Sequence, residues 1–116
     1  MITFDVEFAA TAKEDLENIL AYIGEGNFET AFDFVEKLVD RTNNTLSTAP
    51  YAGTSYGHKS GKEIRTFVLH KSYTVFYMVD DAKQRVDVIY IFNTHKDNLE
   101  FWRHLKTQGI VKFPDK

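Results

Sequence analysis

Apolar positions change period twice along this chain, and the changes divide it into a helical front half and a strand-rich back half. Ile2, Phe4, Val6 and Phe8 alternate with Thr3, Asp5 and Glu7, the period-two pattern of a strand with one face buried. The period then lengthens. Leu16, Ile19, Leu20 and Ile23 fall on one stripe of a helix that Thr11-Ala-Lys-Glu14 opens with capping-box spacing and that Gly24 and Gly26 end. Asn27 is placed to cap a second helix, whose stripe is Phe28, Ala31, Val35, Leu38, Val39, Thr42 and Leu46. Ala49-Pro50 closes it, because proline pushes the residue before it out of the helical region. So short a connection predicts an antiparallel hairpin of helices.

Tyr51 to Lys62, with three glycines and two serines, reads as a loop and as the segment freest to move. Three β-rich runs follow, at Glu63 to Leu69, Tyr73 to Val79 and Arg85 to Phe92. Their connections, His70-Lys-Ser72 and Asp80 to Gln84, are short enough to impose antiparallel pairing. Asp97-Asn-Leu-Glu100 has cap-like spacing again, and Leu99, Trp102 and Leu105 predict a short amphipathic helix ending near Gly109. The expected architecture is α+β: an N-terminal strand, an antiparallel two-helix hairpin, a three-stranded antiparallel meander packed by one face on the hairpin, and a short C-terminal helix. No internal repeat or low-complexity stretch interrupts it, so residues 1–116 are expected to form one domain. A chain of this length, 43% apolar, buries roughly two-thirds of its unfolded surface without a staple.

Composition narrows the chemistry. There are no cysteines, which excludes disulfides and thiol nucleophiles and fits a reducing cytoplasm. No apolar run approaches the ~18 residues of a membrane span, and the N-terminus lacks a basic region before an apolar core, so a cytoplasmic protein without membrane contact is expected. His58, His70, His95 and His104 lack metal-ligand spacing, and Gly53, Gly57 and Gly61 match no phosphate-binding fingerprint, so neither a metal nor a cofactor is expected. Ser55 and Ser60 lack an elbow motif for acyl transfer. The net charge of -3 hides a polarity: up to Pro50 there are 3 Lys/Arg against 10 Asp/Glu, and after it 11 against 7. An acidic helical half and a basic strand half can aim one face at an anionic partner, or be ordinary solvated surface.

Arg65 stands inside an apolar strand, where a charge must face solvent or be paired. On a basic sheet face it can grip a phosphate or carboxylate in bidentate fashion; the alternative is a salt bridge to a helix carboxylate such as Asp15 or Glu17. His95 and Lys96, just past the last strand, suit a general acid and a charge stabiliser at a phosphodiester, or local hydrogen bonding alone. Tyr73, Tyr77 and Tyr90 interleave with basic residues, but core packing explains Tyr77 better than base stacking does. Phe101 and Trp102 on a short terminal helix either seal the sheet edge or mark a partner site, and Lys71 in a hairpin connection joins them as a candidate contact.

Taken in order, Ile64-Arg65-Thr66-Phe67-Val68-Leu69, Tyr73-Thr-Val-Phe-Tyr77 and Val86-Asp-Val-Ile-Tyr-Ile-Phe-Asn-Thr-His95 resemble the RelE/ParE superfamily of bacterial toxins, and Ala12-Lys-Glu-Asp-Leu-Glu-Asn-Ile-Leu-Ala-Tyr-Ile23 looks like the first helix of its ParE branch. The resemblance runs from about Ile2 to Trp102. It implies a toxin of a type II toxin–antitoxin module, neutralised by a cognate antitoxin that wraps it, with growth inhibition and plasmid stabilisation as its expected effects. A homodimer and a toxin–antitoxin hetero-oligomer both stay open.

Two activities occur in the superfamily. ParE-like members inhibit DNA gyrase by binding; RelE-like members cleave mRNA on the ribosome through clustered basic and aromatic or histidine side chains. Where the nucleases tend to carry such groups, this chain has Phe67, Thr74 and Trp102, which favours the gyrase reading with Arg65, Lys71, Phe101 and Trp102 as partner-binding residues. In the nuclease alternative Arg65, His95 and Lys96 would be catalytic. A toxin-fold protein that is not toxic and binds another target is the third reading.

Overall fold

The computed structural model describes residues 3–24, 26–69, 73–93, 107 and 110–112. Its elements are strand β1 (Asp5–Phe8), helices α1 (Ala10–Gly24) and α2 (Phe28–Thr48), then strands β2 (Thr54–Lys59), β3 (Lys62–Leu69), β4 (Tyr73–Asp80), β5 (Arg85–Asn93) and β6 (Ile110–Lys112). They form an α+β fold with one sheet in the order β1-β5-β4-β3-β2-β6. The meander β3-β4-β5 is antiparallel as its short connections require. β1 lies parallel to β5, from Asp5 opposite Arg85 to Phe8 opposite Val88. From β1 the helical pair carries the chain to β2, four strands away in the sheet, and β3 and β4 bring it back to β5.

Asn27 caps α2 as its residue type predicts, its side-chain oxygen accepting from the Thr30 amide at 3.1 Å. Along the α2 stripe Ala31, Leu38, Thr42 and Leu46 are buried, whereas Phe28 is 62% exposed. The capping box expected at Thr11 does not form, because α1 already begins at Ala10. The Thr11 hydroxyl instead donates to the Ile89 carbonyl at 2.6 Å. A register shift in the β4–β5 ladder leaves Ile89 without a partner on β4, so its backbone is open to this helix. One turn later Asp15 accepts from the Ile91 amide at 2.9 Å, beyond the point where β1 stops covering the β5 edge.

The segment from Tyr51 to Lys62, read from its glycines as a loop, contains β2. It pairs with β3 from Thr54 opposite Thr66 to Lys59 opposite Lys62, skipping Tyr56 at a bulge. Ser60 and Gly61 turn the hairpin, both with positive φ (51° and 80°), as a tight two-residue connection of the primed type demands. Strand pairing, rather than an apolar alternation of its own, orders the segment. β6, also unforeseen, pairs antiparallel with β2 at Gly57 to Lys59. Of the C-terminal helix expected near residues 97–109, Thr107 alone lies among the described residues.

Alternation along the strands gives the sheet two apolar faces. Toward the helices, Leu69, Tyr73, Val75, Tyr77, Val86, Val88 and Ile91 pack with Ala12, Leu38 and Leu46. On the other face Ile64, Phe76 and Tyr90 form a smaller buried cluster with Tyr56, Met78, Ile89 and Phe92 against it.

Candidate functional site

Arg65 follows Ile64 on β3, and alternation sends its side chain to the helix-side face, opposite Tyr77 on β4 and Ser55 on β2. There it meets the turn that leads from α2 into the sheet. One Nη2 hydrogen bond goes to the Gly53 carbonyl at 2.5 Å and another to the Tyr51 carbonyl at 3.3 Å, while Nη1 donates to Glu63 Oε1 at 3.1 Å. The guanidinium also lies over the Tyr51 ring, 5.1 Å from its centroid. With its side chain 15% exposed, the arginine fastens its own chain together, and its Nε is buried without a hydrogen-bond partner among the described residues.

Neighbouring groups complete this clamp. The Gly53 amide donates to the Tyr77 hydroxyl at 3.0 Å, so both polar groups of Gly53 are held. The approach is so close that a Cβ at Gly53 would lie 2.2 Å from the Thr66 carbonyl oxygen and 2.7 Å from the Tyr77 hydroxyl; glycine alone fits. Tyr51 donates to Asp81 Oδ2 at 2.5 Å, tying the turn to the β4–β5 connection. That bond first, and burial second, push the Tyr51 phenol up to about 12. Hydrogen bonds from Arg65 and Ser55 hold the Glu63 carboxyl below its ordinary range. Burial works against the Arg65 charge, but Glu63 and the Tyr77 hydroxyl outweigh it and keep the guanidinium more firmly protonated.

The salt bridge considered for Arg65 from the sequence had Asp15 or Glu17 on α1 as partner; the structure gives Glu63, two residues along the same strand, and engages Asp15 with the Ile91 amide. Tyr51, Gly53 and Asp81 were not singled out as a unit, and nothing in their spacing marks them, since the clamp joins residues up to 30 positions apart. His95, Lys96, Lys71, Phe101 and Trp102 lie outside the described residues. Phe67 sits on the helix-side face with its ring edge-on to Tyr77 at 5.8 Å, and Thr74 is half-buried opposite Val68 on the other face. Tyr77 is fully buried and Tyr73 packs on Phe34 at 5.5 Å, so both serve the core. Elsewhere, Phe28 and Phe32 stack at 6.3 Å on the exposed side of α2, beside Glu29, Asp33 and Glu36.

No group of three or more histidine or acidic side chains among the described residues is arranged to hold a metal ion. No described helix is long and apolar enough to cross a membrane.

Residues 6–98 match the family model of the ParE toxin of the type II toxin–antitoxin system parDE. The chain belongs to the ParE toxin family. As a family member it is a type II toxin of the RelE/ParE superfamily. Its fold is also found in the chromosomal ParDE toxin–antitoxin system of P. aeruginosa, with a TM-score of 0.62 at 16% identity over 78% of this chain and 95% of that one. The RelBE2 toxin–antitoxin complex of Mycobacterium tuberculosis is similar too, with a TM-score of 0.57 at 19% identity over 80% of this chain and 93% of that one. Among curated protein sequences none matches.

Proposed function

We propose that this ParE-family toxin acts by binding DNA gyrase, without cutting RNA, and that a small cognate antitoxin holds it inactive in the cytoplasm as a toxin–antitoxin hetero-oligomer. The observation that carries the reading is the match to the ParE toxin model across residues 6–98. Local chemistry supports it. Cleaving a phosphodiester requires converging groups that move protons and stabilise a pentavalent charge. At positions where nuclease members of the superfamily tend to carry such groups stand Phe67, packed on Tyr77, and Thr74. Arg65, the described member of the candidate catalytic set, is engaged by Tyr51, Gly53 and Glu63.

An inhibitor that works by binding needs surface instead. In this reading Lys71, Phe101 and Trp102 contact the partner, and Arg65 holds the turn at Tyr51 and Gly53 in shape. The antitoxin proposal is supported by the two similar structures, both of which come from toxin–antitoxin systems. Growth inhibition and plasmid stabilisation follow from the same reading.

The test is direct. Purified protein is added to a gyrase supercoiling assay and to a reconstituted translation system, and the adjacent small gene is co-expressed during induction in cells. Loss of supercoiling, intact mRNA and relief of growth arrest are expected. Ribosome-dependent cleavage that His95→Ala or Lys96→Ala slows by about a hundredfold, the scale of a lost general acid, would overturn the gyrase reading and make Arg65, His95 and Lys96 a nuclease site.

A further inference from the structure

The apolar stripe of α2 outruns its cover. Phe28, Phe32, Val35, Val39, Thr42 and Leu46 recur at alternating spacings of four and three, the seven-residue repeat of a helix seam. On a straight α-helix such a stripe turns about the axis by about 20° per repeat. Thr42 and Leu46 are accordingly buried, Val35 and Val39 half-buried, and Phe32 and Phe28 51% and 62% exposed. The two rings stack on each other at 6.3 Å. Beside Phe28, α1 ends at Gly24, which brings no side chain to cover the ring, although a Cβ there would stand 3.7 Å from its Cδ2. Single exposed aromatics are ordinary surface. A stacked pair continuous with half-buried valines is a patch of the kind that receives a partner helix.

Charge selects the occupant. Glu29, Asp33, Glu36 and Asp40 repeat the same spacing one residue on and form an exposed acidic border along the seam. Acids one turn apart repel each other, and the helix dipole favours only Glu29, which lies in the first turn. Lys37 and Arg41 stand on the next face of α2, and neither pairs with the four acids among the described residues, where the ion pairs are Arg65–Glu63 and Arg85–Asp87. With Lys13 they are all the cations up to Pro50, against 10 Asp/Glu. A second copy would set acid against acid, since a two-fold pairing brings the same surface to both sides. A basic amphipathic helix gives each acid a counter-charge while its apolar positions cover the two rings. We propose that residues 28–40 of α2 are a docking surface for a basic amphipathic helix of another protein. The surface lies at the end of α2 away from the Arg65 clamp, Phe32 being about 24 Å from Thr48 at 1.5 Å per residue, and it does not depend on which target the toxin has.

The probe is a synthetic helix of about three heptads with leucine at the a and d positions, lysine beside them and alanine elsewhere; its twin carries glutamate in place of lysine. Each labelled peptide is titrated with the full-length protein by fluorescence anisotropy, and analytical ultracentrifugation gives the protein's own size. The lysine peptide should bind at least about tenfold more tightly than its twin at low salt and lose most of that advantage at about 1 M. Phe28→Ser/Phe32→Ser should weaken the lysine peptide at least about tenfold. Because both rings are exposed, that variant should melt within about 4 °C of the wild type. Asp33→Lys/Glu36→Lys/Asp40→Lys should reverse the preference between the two peptides.

Equal binding of the two peptides, or lysine-peptide binding that survives the serine pair, overturns the proposal. A wild-type dimer that the serine pair turns into a monomer overturns it too, in favour of a second copy as the occupant. If the charge-reversed variant does not fold, Glu36→Gln/Asp40→Asn decides: the lysine peptide should lose several-fold in affinity at low salt, and no loss refutes the selection by charge.

Discussion

Replacing Arg65 by alanine should destabilise this protein, and the amount can be worked from its contacts. Two of its bonds run to backbone carbonyls, a short one to Gly53 and a longer one to Tyr51. A hydrogen bond to a charged group is worth about 1.5–3 kcal/mol net. The 3.3 Å bond deserves the lower end or less, and the Glu63 pair, whose acid is 47% exposed, adds at most about 1 kcal/mol. Against these stands relief of the buried, unpartnered Nε. About 3 kcal/mol should be lost, and for a chain of this size each kcal/mol lowers the melting temperature by roughly 4 °C, giving a fall of about 12 °C. Circular dichroism melts and urea titrations of wild type, Arg65→Ala and Arg65→Lys are the assay. Lysine keeps the charge but not the fork, so it should recover less than half of the loss. A fall under about 4 °C for Arg65→Ala would refute the clamp. If toxicity disappeared at the same time, Arg65 would then have to serve a partner directly.

Two further perturbations probe the same corner. Gly53→Ala should cost about 2 kcal/mol or more, since its Cβ must displace the Thr66 carbonyl or the Tyr77 hydroxyl; a melt within about 2 °C of wild type would show that the turn does not approach the sheet as described. Alkali should weaken the fold. Tyr51, through its bond to Asp81, and Tyr56, through burial, both have phenols raised from 10.0 to about 12. A raised folded value means stability that is complete below the unfolded value and lost as pH rises. Melting temperatures should therefore decline between about pH 10 and 12, less steeply in Tyr51→Phe and Tyr56→Phe, and a flat profile would contradict both assignments.

Elements whose cause is local were legible in the sequence. Asn27, the α2 stripe from Ala31 to Leu46 (though not Phe28, which is exposed) and the β3, β4 and β5 boundaries to within about a residue came out, because caps, periodicity and short turns are written in neighbouring positions. β2 was not, because Thr54–Lys59 has no apolar alternation and is ordered by its partner β3 and the Ser60-Gly61 turn. Thr11 and Glu14 have the spacing of a capping box, yet the Ile89 carbonyl, 78 positions away, claims the hydroxyl. For Arg65 the sequence supplied the problem, a cation in an apolar strand, but not the solution. Two backbone carbonyls in a turn carry no residue-type signature, so no pattern could have named them.

The parallel place of β1 beside β5 sets a schedule for making the molecule. β1 is synthesised well before the strand that starts at Arg85, with which it pairs, and α1 is fastened to that same strand through Thr11 and Asp15. At about 5–20 residues per second, some 4–16 s of synthesis separate β1 from its neighbour. Throughout that interval the N-terminal strand has no ladder to join, and contacts so distant in sequence close late. A nascent chain therefore cannot present its finished sheet while most of it is still being translated, and anything that must meet it unfinished has seconds in which to do so.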